Sequence, residues 1–146
     1  MIEYSLDTNA CINVINGSSV TVRSRFKRAV AEGSIVCVCT IVLHELWFGV
    51  ANSARREFNI ERVQAFLSGP IQLVLFDEAD ARAAGEVRGD LERLGARIGA
   101  YDALIAAHAV RRGFTLVTAN TREFARVEGL LWEDWATPEF TDGVLR

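Results

Sequence analysis

Five side chains lie where oxygen-based chemistry could gather. Asp7 stands in Leu6-Asp7-Thr8-Asn9, between a strand-like and a helix-like stretch. Glu45 lies in TIVLHELWFGVANS, residues 40–53, and Asp102 opens the Ala-rich run YDALIAAHA. Asn120 and Glu123 fall in LVTANTREF, just after a β-rich run. Oxygen ligands that leave water positions open suit Mg²⁺ or Mn²⁺. No Ser–His–Asp or Cys–His arrangement competes, and no GxxxxGK[ST] phosphate loop is present.

Taken singly, most of these residues have plain structural roles. Asp7 and Asp102 sit where a helix N-cap is expected. Asn120 suits a turn or a cap, and Glu123 a solvated short helix. Glu45 differs, because its helix is apolar on nearly every side and therefore reads as largely buried. A buried carboxylate needs an Arg, a hydrogen-bond donor or a metal. Gly49, one turn on, removes a side chain beside Glu45, which leaves room for a ligand or for close helix packing.

The elements that must position these residues alternate. Strands are expected at 2–6, 34–39, 71–76, 114–118 and 130–132, the last at a sheet edge. Helices are expected at 8–15, 22–31, 57–67, 78–94, 102–112 and 121–126, with another from an N-cap at Thr40 to about Ser53. On the helix at 78–94, Ala83, Ala84, Val87, Leu91 and Leu94 form the inner face. This order predicts an α/β fold with a mainly parallel sheet flanked by helices. Sites in such sheets gather beyond the strand carboxyl ends, which favours Asp7, Asn120 and the helix carrying Glu45.

The 146 residues suit one domain, and half of them are hydrophobic, enough for a sizeable core. No stretch is long and apolar enough to span a membrane, and MIEYSLDTN has no signal-peptide pattern, so a cytoplasmic location is expected. Cys11, Cys37 and Cys39 read as buried thiols. The net charge of −3 argues weakly against a nucleic-acid partner. Against that, fifteen of the sixteen basic residues are Arg, whose donor fork suits phosphate.

Four segments carry a resemblance: LDTNACI (6–12), Thr40 with HELWFG (44–49), RIGAYDALIAAHA (97–109) and LVTANTREFARVEGL (116–130) followed by WEDW. In order and spacing the chain resembles the PIN-domain ribonucleases, most of all the VapC toxin branch, over roughly residues 2–135. The resemblance implies a PIN fold at 1–136 with a C-terminal tail at 137–146. It implies a Mg²⁺- or Mn²⁺-dependent endoribonuclease, with Asp7, Glu45 and Asp102 as metal ligands and Asn120 and Glu123 completing the catalytic site. Asn120 stands where relatives often carry Asp, and Ala100 where they often carry Pro. The resemblance further implies an RNA substrate, with tRNA as the class, a VapB-type antitoxin, and a homodimer. Hydrolysis through a metal-activated water would leave a 5′-phosphate and a 3′-hydroxyl. Thr8 is expected to support the ligands, and Arg122 or Arg126 either to grip the RNA backbone or to lie solvated. A catalytically inactive RNA-binding module and a PIN-type nuclease acting on DNA are the alternatives.

Overall fold

The short apolar runs become strands of one sheet, and the longer periodic stretches become the helices around it. The computed structural model describes residues 2–138 and, beyond them, the backbone of 140–141 and 144–145. In chain order the elements are β1 (Glu3–Leu6), α1 (Thr8–Asn16), α2 (Val20–Ala31), β2 (Ile35–Cys39), α3 (Thr40–Ala51) and α4 (Arg56–Leu67). There follow β3 (Gln72–Val74), α5 (Glu78–Arg93), α6 (Ala100–Arg112), β4 (Thr115–Val117), α7 (Thr121–Phe124) and β5 (Leu131–Glu133). The expected tail falls partly outside the described residues; within it Phe140–Thr141 pairs antiparallel with Val144–Leu145.

The five strands lie in the order β3-β2-β1-β4-β5, and every pairing is parallel. The chain starts at the centre, steps outward to β2 and β3, and returns across β1 to build β4 and β5. The strand order therefore reverses between β1 and β4, and a crevice opens beyond the carboxyl ends of those two strands. Leu6 lies opposite Val117, and the Asp7 amide donates to the Val117 carbonyl at 3.1 Å. That bond carries the ladder one residue past β1 and fixes Asp7 at the crevice.

Leu6, Val36, Val38, Leu116 and Val117 form the buried centre of the sheet. Helix α6 is buried along most of its length through Ala103, Ile105, Ala106, Ala107, His108 and Ala109. These mostly small side chains let it lie close against α5, α3 and β4. Gly17 and Gly113 end α1 and α6 in left-handed conformations, at φ +63° and +71°, which side chains with a Cβ rarely adopt. The three cysteines are free and buried, as expected.

Four details depart from the sequence reading. Helix α3 is not largely buried: only Val42, Leu46 and Val50 are, and Phe48 is 64% exposed. Those three residues form a single i, i+4, i+8 stripe, and apolarity alone does not separate a core face from a solvent face. Thr40 is the first helical residue rather than the cap, which is Cys39; the Thr40 hydroxyl accepts from the Phe76 amide at 2.9 Å. Leu94 is 76% exposed, because α5 ends at Arg93 and leaves it beyond the inner stripe. The third strand is shorter than expected, reduced to Gln72–Val74.

An ion cluster ties the start of α5 to the end of α6. Asp80 is fully buried and accepts from Arg111 Nε at 2.6 Å and from Arg112 Nη2 at 2.9 Å. Arg111 Nη2 also reaches both Asp77 oxygens at 3.1 Å. Asp77 and Asp80 cap the helix reciprocally. Burial pushes the Asp80 carboxyl up, but the Arg112 and Arg111 guanidiniums and the Asp77 amide outweigh it and hold the group well below the usual carboxylate range. Asp80→Ala should therefore lower unfolding free energy by about 3 kcal/mol at pH 7, as expected when one partner of a buried pair is removed. A depressed pKa contributes stability above the unfolded value, near 4, and loses it as pH falls further. The gap between the two proteins in urea unfolding should thus narrow steadily as pH falls below about 4; identical midpoints at pH 7 would remove the cluster from the account of stability.

Candidate active site

Asp7 is 6% exposed at the end of β1 and caps α1, its Oδ1 accepting from the Ala10 amide at 2.8 Å. The capping role proposed for it is real, but it occupies only part of the carboxylate. Thr118, one residue beyond β4, favours the charged form of Asp7, while Glu45 and Asp134 act against it through space. Burial is the largest influence on this carboxyl and pushes its pKa up. Beside it, Thr8 Oγ1 donates to Glu45 Oε1 at 2.8 Å. Glu45 is half-buried, and among the described residues the hydrogen-bond partner of its carboxylate is this hydroxyl rather than an Arg.

Asp102 reaches the same place from α6. It is not the N-cap, which is Gly99, but lies in the first turn, so its side chain is not spent on closing the helix. A Cβ on Gly99 would stand 3.2 Å from Asp102 Oδ2, and glycine there keeps that oxygen unobstructed. Burial, then Glu123, Glu45 and Asp7, raise the Asp102 pKa to about 6. A helix N-terminus ordinarily favours a carboxylate, so burial and the neighbouring acids outweigh the dipole here.

Asn120 occupies the N-cap position of α7, yet its side chain does not cap. Its Nδ2 donates instead to Glu123 Oε2 at 2.9 Å, while its backbone amide donates to Thr118 Oγ1 at 3.0 Å. Glu123 is thereby held on the side of Asp102, whose pKa it raises. All five residues singled out in the sequence thus meet at the carboxyl ends of β1 and β4. Two residues were missed. Thr118 was legible by analogy, because it follows β4 as Asp7 follows β1. Asp134 follows an edge strand, and its oxygens are bonded to the Ala136 amide and the Thr137 hydroxyl. Arg126 donates to the Arg97 carbonyl at 2.7 Å, which joins α7 to the segment before α6.

The donor set is all oxygen, and the negative charge around Asp102 is what a hard divalent cation would offset. In that sense the chemistry of Asp7, Glu45, Asp102 and Glu123 suits a hard divalent cation. Among the described residues, no three acidic, thiol or imidazole groups already close to the spacing of a finished coordination shell.

The PIN-domain family model matches residues 4–130. The chain belongs to the PIN-domain family. Within the family its relatives are VapC proteins. It is 40% identical to the tRNA(fMet)-specific endonuclease VapC of Shigella flexneri, over 93% of this chain and all of that one. It is 36% identical to ribonuclease VapC2 of Rickettsia felis, over 90% of this chain and 97% of that one. Among solved structures, VapBC2 from Rickettsia felis bound to a promoter DNA fragment superposes with a TM-score of 0.85 at 35% identity, covering 92% of this chain and 99% of that one. DNA-bound VapBC from Salmonella typhimurium gives 0.84 at 37% identity, covering 92% and 99%. The parallel five-stranded sheet is thus the PIN fold that the four motifs implied.

A PIN domain so charged should trade stability for its site. The fold favours protonated Asp102, so its contribution is present at low pH and lost as pH rises through about 6. Asp102→Asn should raise the thermal midpoint in EDTA at pH 7.5 and raise it clearly less at pH 4.5. A lower midpoint at pH 7.5 would mean that Asp102 does not sit among uncompensated acids.

Proposed function

We propose that the chain is the toxin of a type II toxin–antitoxin pair and acts as a Mg²⁺- or Mn²⁺-dependent endoribonuclease. Asp7, Glu45 and Asp102 are assigned as the metal ligands, with Asn120 and Glu123 completing the site. The observation that carries this reading is the convergence of four acidic side chains on the crevice at the strand-order reversal, where burial first, and then Glu123, Glu45 and Asp7, raise the Asp102 pKa to about 6. A divalent ion bound there would lower the pKa of a water molecule and stabilise charge on a phosphodiester.

The chain's own residues do the positioning. Thr8 orients Glu45, the Ala10 amide orients Asp7, and Asn120 holds Glu123, which acts on Asp102. Substitution of the family's frequent Asp by Asn120 therefore leaves an acid in place, supplied by Glu123. This supports an active enzyme over an inactive binding module.

The tRNA(fMet)-specific relative supports tRNA as the substrate class. The VapBC neighbours support a VapB-type antitoxin as partner. We further assign a homodimer in the cytoplasm, with the PIN domain at 1–136 and the tail at 137–146. No helix of the described residues is long and apolar enough to cross a membrane.

Antitoxin-free protein should cut bulk tRNA in Mg²⁺ and not in EDTA, leaving 5′-phosphate ends. Asp7→Asn should lower the rate by more than about 100-fold, and Asn120→Ala by about 10–100-fold, as for groups that orient metal ligands. A matched single-stranded DNA should remain intact. Products ending in 2′,3′-cyclic phosphate, or no cleavage of several RNAs by folded, metal-supplemented protein, would overturn the assignment.

A further inference from the structure

Beside the carboxylates, a cavity of about 210 Å³ opens between α1, α3 and α4. Glu45 forms one wall of it. Ile12 and Leu46 supply apolar surface, and Asn59 and Arg62 are its polar side chains on α4. Gly49 lines it too. A Cβ on Gly49 would meet nothing within 4 Å, so this glycine does not serve close helix packing. Of the two roles open to it in the sequence, room for a ligand is the one that remains.

We propose that this cavity is a nucleobase subsite, holding a base of the RNA strand immediately next to the phosphodiester at Asp7, Glu45 and Asp102. The inference rests on the ribonuclease reading above. Four observations carry it. The cavity shares Glu45 with the acidic site, so whatever fills it adjoins the reacting group. Its size suits one flat ring system, and apolar walls with a few placed polar groups are the usual surroundings of such a ring. Asn59 Nδ2 donates to Ser53 Oγ at 3.1 Å, which leaves the amide oxygen to accept from an exocyclic amino group. Arg62 donates to the Ile15 carbonyl at 2.6 Å and has no carboxylate partner among the described residues, so its charge favours the phosphate that accompanies the base. Unstacked bases of single-stranded RNA are read in this way, by apolar contact and edge hydrogen bonds.

Two variants test it against a pool of RNAs with randomised loops, with every cut site sequenced. Gly49→Leu fills the cavity from an exposed helix position; kcat/KM should fall at least tenfold with an unchanged or higher thermal midpoint. Asn59→Ala should flatten the base preference at one nucleotide beside the cut, while the other positions keep theirs. Wild-type cutting with both variants matching it in rate and preference would overturn the subsite and leave the ribonuclease reading intact. Gly49→Leu that cuts RNA normally but escapes antitoxin inhibition would overturn it too, giving the cavity to the protein partner. Wild-type protein that cuts no RNA overturns both.

Discussion

Acidic side chains crowded at one end of a sheet repel one another, and the rest of the fold exists under that constraint. Asp7 and Asp102 are pushed toward protonation by burial and by their neighbours, and among the described residues no Arg forms an ion pair with either. Neutral donors hold the group instead: Thr8, Asn120 and the Ala10 amide. Such donors fix orientation without cancelling charge. An Arg in their place would stabilise the apo protein and compete with a cation for the same oxygens.

Helix α6 shows how the cost is offset at a distance. Its first turn carries Asp102 into the crevice, and its last turn carries Arg111 and Arg112 to Asp77 and Asp80. Acid at the N-terminus and base at the C-terminus both suit the helix dipole. The Arg–Asp cluster anchors the far end of the helix to α5, while its alanines seat it in the core. A rigid α6 means that Asp102 cannot swing away from the other acids, so repulsion is borne rather than relaxed.

The two sides of the crevice differ in character. On the α6 and α7 side, acids and the Asn120 amide form a polar wall. On the α3 side, an apolar cavity begins directly behind Glu45, kept open by Gly49. A phosphodiester strand is itself alternately charged and flat-ringed, and the surface has the same alternation. Phe48, on the outward face of α3, is exposed, and the helix is more apolar than its burial requires.

Much of this was legible in the sequence because local physics wrote it there. Strand and helix alternation follows from hydrophobic period, and the four motifs carried both the family and the five site residues. Asp7 as a cap follows from its place before a helix. What could not be read was anything set by distance across the fold. Glu45 bonding Thr8 spans 37 residues, and Glu123 acting on Asp102 depends on α7 lying near the first turn of α6. Apolar residues of α3 and Leu94 look the same in a sequence whether a neighbour covers them or not. The sequence by itself determined which groups the protein has and on which kind of element each sits. Only the tertiary structure decided which of them meet, because the order β3-β2-β1-β4-β5 is set by long-range strand pairing, and that order makes the crevice.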